Sequence, residues 1–70
     1  MERLPFFSTA NAFNEASKES DWGYELRHVD GVWTLYDRDG NFKMSCPQEL
    51  YAAAFATVSI EIDRLAANGP

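Results

Sequence analysis

The chain has 70 residues, 46% of them hydrophobic, with five Phe, three Tyr, two Trp and a formal net charge of −5. That composition excludes disorder and fits one small domain, close to the lower size limit for a core without metal or disulfide support. The charge argues against direct binding to nucleic acid or anionic membranes, because six Lys and Arg are spread over the whole length. A lone cysteine, Cys46, cannot close an intramolecular disulfide, and the N-terminus lacks the apolar core of a secretory signal. No apolar run approaches the roughly 20 residues that span a bilayer, so the expected location is the cytoplasm.

In chain order, Met1–Phe7 reads as extended, since Pro5 disfavours helix at Leu4 and the Phe pair suits packing onto a sheet. Ser8 and Thr9 are candidate N-caps for a short helix over 10–19. Its apolar face (Ala12, Phe13, Ala16) is thin. Asn11, Asn14 and Ser17 weaken it further, because their side chains compete for backbone hydrogen bonds.

From Trp22 the apolar period changes to two. Asp30-Gly31 and Asp39-Gly40 sit nine residues apart between apolar runs, and Asp-Gly is a strong two-residue hairpin signal. Three antiparallel strands are therefore expected, over 22–29, 32–37 and 41–44. Two-residue turns pair Leu26 with Leu35, His28 with Trp33, Asp37 with Phe42 and Leu35 with Met44. This register gathers Tyr24, Leu26, Trp33, Leu35, Phe42 and Met44 on one core face. It leaves Glu25, Arg27, Thr34, Tyr36 and Lys43 on a solvated one.

Ser45 and Gln48 have capping-box spacing, Pro47 suits a first turn, and Asn68-Gly69-Pro70 supplies a stop, so a helix is expected over 46–67. Leu50, Tyr51, Ala54, Phe55, Val58, Ile62 and Leu65 form its apolar stripe and are assigned to the core. Ala53, Ala56 and Ile60 make a second, smaller strip on the far side of the helix, which suggests a contact beyond the sheet. The resulting fold class is α+β: a short N-terminal helix, a three-stranded antiparallel meander, and a long C-terminal helix on one sheet face, within a single domain over 1–70.

Candidate chemistry is sparse. Asp37-Arg38-Asp39-Gly40-Asn41 matches the first five positions of an EF-hand loop, but Phe42 stands where the sharp turn needs Gly. The bidentate Glu is also one residue late, at Glu49, so the segment reads as a hairpin turn. Cys46, placed in the first helical turn, lacks a nearby base, and His28 lacks a second metal ligand. Glu61 and Arg64 read as surface pairing. No catalytic, cofactor or metal site is expected, and the chain is read as a non-enzymatic protein.

Gly31-Val32-Trp33 entering the second strand, with the alanine-rich Ala52–Ala56 segment, resembles the arm-binding domains of phage integrases and the plant ethylene-response DNA-binding domains. The resemblance covers about Tyr24 to Leu65 and implies DNA binding by the outer sheet face, where Arg27, Lys43 and Arg38 stand against Glu25 and several Asp. The leading expectation is instead a small acidic protein-binding module. It would inhibit or modulate a larger basic or nucleic-acid-handling assembly, in the manner of a DNA mimic. In size and charge it is similar to phage and mobile-element antagonists of host defence, anti-CRISPR proteins among them. The alternatives are a nucleic-acid-binding domain using the sheet, or a small homodimeric structural or regulatory subunit. The candidate partner-binding residues are Tyr36, Asp30, Asp37 and Asp39, an aromatic anchor with carboxylates that steer a basic target.

Overall fold

The computed structural model describes residues 4–69. Its elements run α1 (Ala10–Ser20), β1 (Glu25–Val29), β2 (Val32–Tyr36), β3 (Phe42–Cys46) and α2 (Glu49–Ala67). The strands form one antiparallel sheet in the order β1-β2-β3, and α2 packs across it. This is the α+β architecture that the turn signals and helical periodicity imply. Of the stretch expected to be extended, residues 1–3 lie outside the described residues, as does Pro70, and 4–7 join no strand.

Helix α1 starts where a hydroxyl can serve an orphan donor: the Ala12 N–H donates to Thr9 Oγ1 (3.1 Å). It ends on Asp21 at φ 54°, with the Trp22 N–H closing back on the Ser17 carbonyl (3.0 Å). Gly23 follows at φ 86°, so the expected first strand is trimmed at its start and pairing begins at Glu25. Trp22 instead joins Phe7 and Phe13 in an aromatic cluster with centroids 6.0–6.3 Å apart.

Two of the three polar residues expected to weaken α1, Asn14 and Ser17, anchor it. Strand β1 is an edge strand, and its Leu26 N–H donates to Asn14 Oδ1 (2.8 Å) while Asn14 Nδ2 donates to the Leu26 carbonyl (3.0 Å). One amide side chain thus takes the place of a neighbouring strand. The buried Ser17 hydroxyl donates to the Tyr24 carbonyl (2.7 Å) in the same way.

The two Asp-Gly steps behave differently. Asp30 (φ 50°) and Gly31 (φ 82°) both take positive φ, as a type I′ turn requires, and β1 pairs with β2 in the expected register. At the second step only Gly40 is positive (φ 83°). The Gly40 N–H donates to the Asp37 carbonyl (2.9 Å), and the Asp37 N–H donates to the Asn41 carbonyl (2.9 Å). This is a three-residue loop, a type I turn followed by a left-handed glycine, one residue longer than a two-residue turn.

Strand β3 absorbs the extra residue in a bulge. Tyr36 pairs with Phe42 while Leu35 still pairs with Met44, which leaves Lys43 without a cross-strand partner. Met44 therefore stays against the core, but Phe42 is moved to the open face and is 62% exposed. Its assignment to the core is corrected by that shift.

The start of α2 also differs from expectation. Ser45 and Cys46 remain in β3, the helix begins at Glu49, and Gln48 makes no side-chain cap, so the Ser45–Gln48 box does not form. Glu49 instead turns outward from its own helix, and its Oε2 accepts the Ala10 N–H of α1 (2.8 Å). A carboxylate at that N-terminus also suits the helix dipole.

The core is built from Ala10, Phe13, Leu26, Leu35, Ala52, Ala53, Ala56 and Ile60, with Leu4, Phe7, Trp22, Tyr24, Trp33, Met44 and Cys46 packed around it. The sheet, α1 and the N-terminal segment supply the bulk, and α2 supplies small residues. At the density of a protein interior, that bulk leaves α2 room for small side chains on its inward face. The consequence reverses the reading of α2. Ala53, Ala56, Thr57 and Ile60, at helical spacing, face inward, while Leu50, Tyr51, Phe55, Val58, Ile62 and Leu65 lie outside.

Candidate functional site

Two surfaces carry groups able to engage another molecule. The first is the open sheet face at the β2–β3 end, where Tyr36 and Phe42 are cross-strand partners. Arg27 of β1 lies over the Tyr36 ring, its guanidinium carbon 5.1 Å from the centroid, and its Nε donates to Glu25 Oε1 (2.9 Å). Central Thr34, paired with Arg27 on one side and Ser45 on the other, is buried, although alternation alone placed it in solvent. The platform is thus a half-buried tyrosine capped by an arginine, with an exposed phenylalanine beside it.

The candidate carboxylates distribute unevenly around this platform. Asp37 and Asp39 occupy the adjoining turn, whereas Asp30 sits in the other turn, at the opposite end of β2. Asp37 Oδ1 accepts the N–H groups of Asp39 and Asn41 (2.9 Å each), so this carboxylate holds the turn together. Asp39 is free to face a partner. Tyr36, Asp37 and Asp39 are therefore brought together, and Asp30 is not.

Phe42 was missed as a surface residue. Its signal is present in the sequence: Asp at the first and Gly at the fourth position of Asp37-Arg38-Asp39-Gly40 favour a type I turn. That turn moves Phe42 onto the face of Tyr36.

The second surface is the outward side of α2, where Tyr51, Phe55, Val58, Ile62 and Leu65 run the length of the helix. The stripe was visible in the sequence, but its outward direction is set by the volume that the sheet and α1 leave free.

Where α2 meets the sheet, three elements are clipped together. The Tyr24 hydroxyl donates to Asp63 Oδ2, and Lys43 Nζ donates to Asp63 Oδ1 (3.1 Å) and lies 3.0 Å from Oδ2. Desolvation and the hydrogen bond to Asp63 push the Tyr24 phenol from 10.0 up to about 12. Bonds from Tyr24 and Lys43 hold the Asp63 carboxyl below its ordinary 3.8. The bulge at Lys43 is thus part of this clip, and Asp63 ties α2 to the sheet.

The remaining chemical candidates are kept apart by the fold. His28 stacks on Trp33 at 4.5 Å, and Trp33 pairs with Cys46, so the indole stands between imidazole and thiol. Cys46 closes a strand and gains no helix dipole. Among the described residues no three His, Cys, Asp or Glu side chains are grouped to hold a metal ion, and no helix is long and apolar enough to cross a membrane. An open depression of about 420 Å³ lies between α1 and β1, but the Asn14 and Ser17 side chains within it are engaged by backbone groups.

Comparison with known proteins found no matching family model, no matching curated protein and no matching solved structure.

Proposed function

We propose that this chain is a small, acidic, non-enzymatic protein-binding module that inhibits or modulates a larger assembly with a basic surface. The observation that carries this reading is the platform at the β2–β3 end. An exposed Phe42 and a half-buried Tyr36 lie side by side next to the free carboxylate of Asp39. Aromatic rings bury large area at small entropic cost, and nearby carboxylates accelerate encounter with cations. A net charge of −5 supports the same choice of partner. Arg27 adds one cation, but Glu25 neutralises it, which leaves little on this face to engage phosphates. In size and charge the chain shares the character of phage and mobile-element antagonists such as anti-CRISPR proteins, and that likeness supports a modulator acting in the cytoplasm.

The test begins with capture of partners from native lysate on the immobilised chain, followed by kinetics on the protein identified. Tyr36→Ala with Phe42→Ala is expected mainly to raise the off-rate. Asp39→Asn is expected mainly to lower the on-rate at low salt, with the turn preserved because Asp37 and Gly40 are untouched. Unchanged kinetics in both folded variants would remove the platform from consideration. Micromolar binding of short duplex DNA that weakened steeply with salt would replace this reading with the sheet-face DNA-binding alternative.

A further inference from the structure

We infer that the outward face of α2 is a self-association seam on which a second copy of this chain docks, helices antiparallel, to form a two-fold dimer. This goes beyond the sheet-face reading and uses none of its residues. Tyr51, Phe55, Val58, Ile62 and Leu65 follow one another at intervals of four, three, four and three. That alternation averages 3.5 residues, the period at which two helices keep a shared apolar seam in contact. The seam lies opposite the Ala53, Ala56, Thr57 and Ile60 face, so among the described residues no element covers it, and Leu65 is 61% exposed.

Area and charge single out a second copy as the occupant. The five seam side chains, with Leu50 at the start of the helix, leave roughly 600 Å² exposed per chain, at the upper end of the patches found on monomers and at the lower limit of specific interfaces when two copies meet. The expected product is a concentration-dependent dimer. The seam's flanks carry Ala54, Ser59, Glu61 and Ala66, so a basic partner finds one carboxylate there. Two copies of a chain with charge −5 repel each other over most of their surface, and this is the face on which they meet without opposing carboxylates. Antiparallel docking sets Tyr51 against Ile62 and Phe55 against Val58, aromatic on aliphatic in these four central layers, with Leu65 at each end of the seam beside Gln48 of the other copy. It places Glu61 beside Ala54 of the other copy and opposes the helix dipoles.

Sedimentation equilibrium from low to several hundred micromolar tests the proposal. The mass of the parent is expected to rise from 7.9 kDa toward twice that value. Phe55→Glu and Ile62→Glu, both at exposed positions, are expected to keep the parent's helical content and remain monomeric throughout. Tyr36→Ala is expected to dimerise like the parent, which separates this result from the fate of the sheet-face reading. Dilution of the parent followed by amide chemical shifts gives a readout without substitution, with changes expected over 51–65. A parent that stays monomeric overturns the proposal, as does a dimer untouched by both glutamate variants or dilution shifts centred on the sheet. In a Cys46→Ser background, oxidation of Tyr51→Cys mixed with Ile62→Cys should yield the mixed disulfide. Preferential like-with-like linkage would overturn the antiparallel arrangement.

Discussion

The two faces of α2 reach their environments by opposite means. The inward face carries Ala52, Ala53, Ala56, Thr57 and Ile60, mostly small, and is buried. The outward face carries two aromatics and several large aliphatics, from 36% exposed at Val58 to 61% at Leu65. Hydrophobicity alone ranks the faces the wrong way round. What decides is volume: Phe13, Leu26 and Leu35 are buried in the core that α2 covers, Trp22 and Trp33 pack against it, and small residues let the helix approach. A stripe of large apolar residues is therefore not evidence of a core until the opposing layer is known.

Ile60 and Ile62 give the sharpest test of that contrast, being the same residue two positions apart at 2% and 58% exposure. Ile60→Ala should cost about 2–5 kcal/mol, a large share of the stability of so small a domain. Ile62→Ala, measured where the chain is monomeric, should stay within about 0.5 kcal/mol of the parent. Urea melts of both decide, and equal losses would break the comparison.

A smaller effect comes from adding volume. Ala53→Leu places a large side chain where the sheet leaves no room and should cost about 1–3 kcal/mol, whereas Ala66→Leu, in solvent, should be close to neutral. A neutral Ala53→Leu would show that the inward face is not packed to its limit.

The smallest effect concerns the clip that holds α2 in its rotation. Tyr24→Phe removes the hydroxyl that donates to Asp63 and should cost about 1 kcal/mol. Two pH limits follow from the same contacts. Asp63 titrates below its ordinary 3.8 in the folded chain, so its contribution is present above that pH and is lost as pH falls through the depressed value. Tyr24 titrates at about 12 instead of 10.0, so its contribution is present below pH 10 and is lost as pH rises toward 12. Stability curves of the parent and of Asp63→Asn check both. An acid limb with the same slope in the two proteins would show that Asp63 is not clipped in solution.

Local chemistry made much of this protein legible in its residues. Asp30-Gly31 specifies a two-residue turn because both positions accept positive φ, and that turn sets the β1–β2 register without help from the rest of the chain. Thr9 caps α1 because its hydroxyl lies three residues before an orphan N–H. Helical periodicity places α2 to within three residues at its start. Tyr36, Asp37 and Asp39 were recognisable as neighbours because one strand end and one turn carry them all. Only the tertiary structure decided which face of α2 turns inward, since two apolar stripes share the helix and the choice depends on the volume that the sheet and α1 leave free. It also decided that Phe42 joins Tyr36, because Asp-Gly is compatible with two loop lengths. The Asp37 side-chain bonds and the Lys43 bulge select the longer one. The same holds for Asn14 and Ser17: their polarity argues against a helix in isolation, and an edge strand at bonding distance turns it into the anchor of α1.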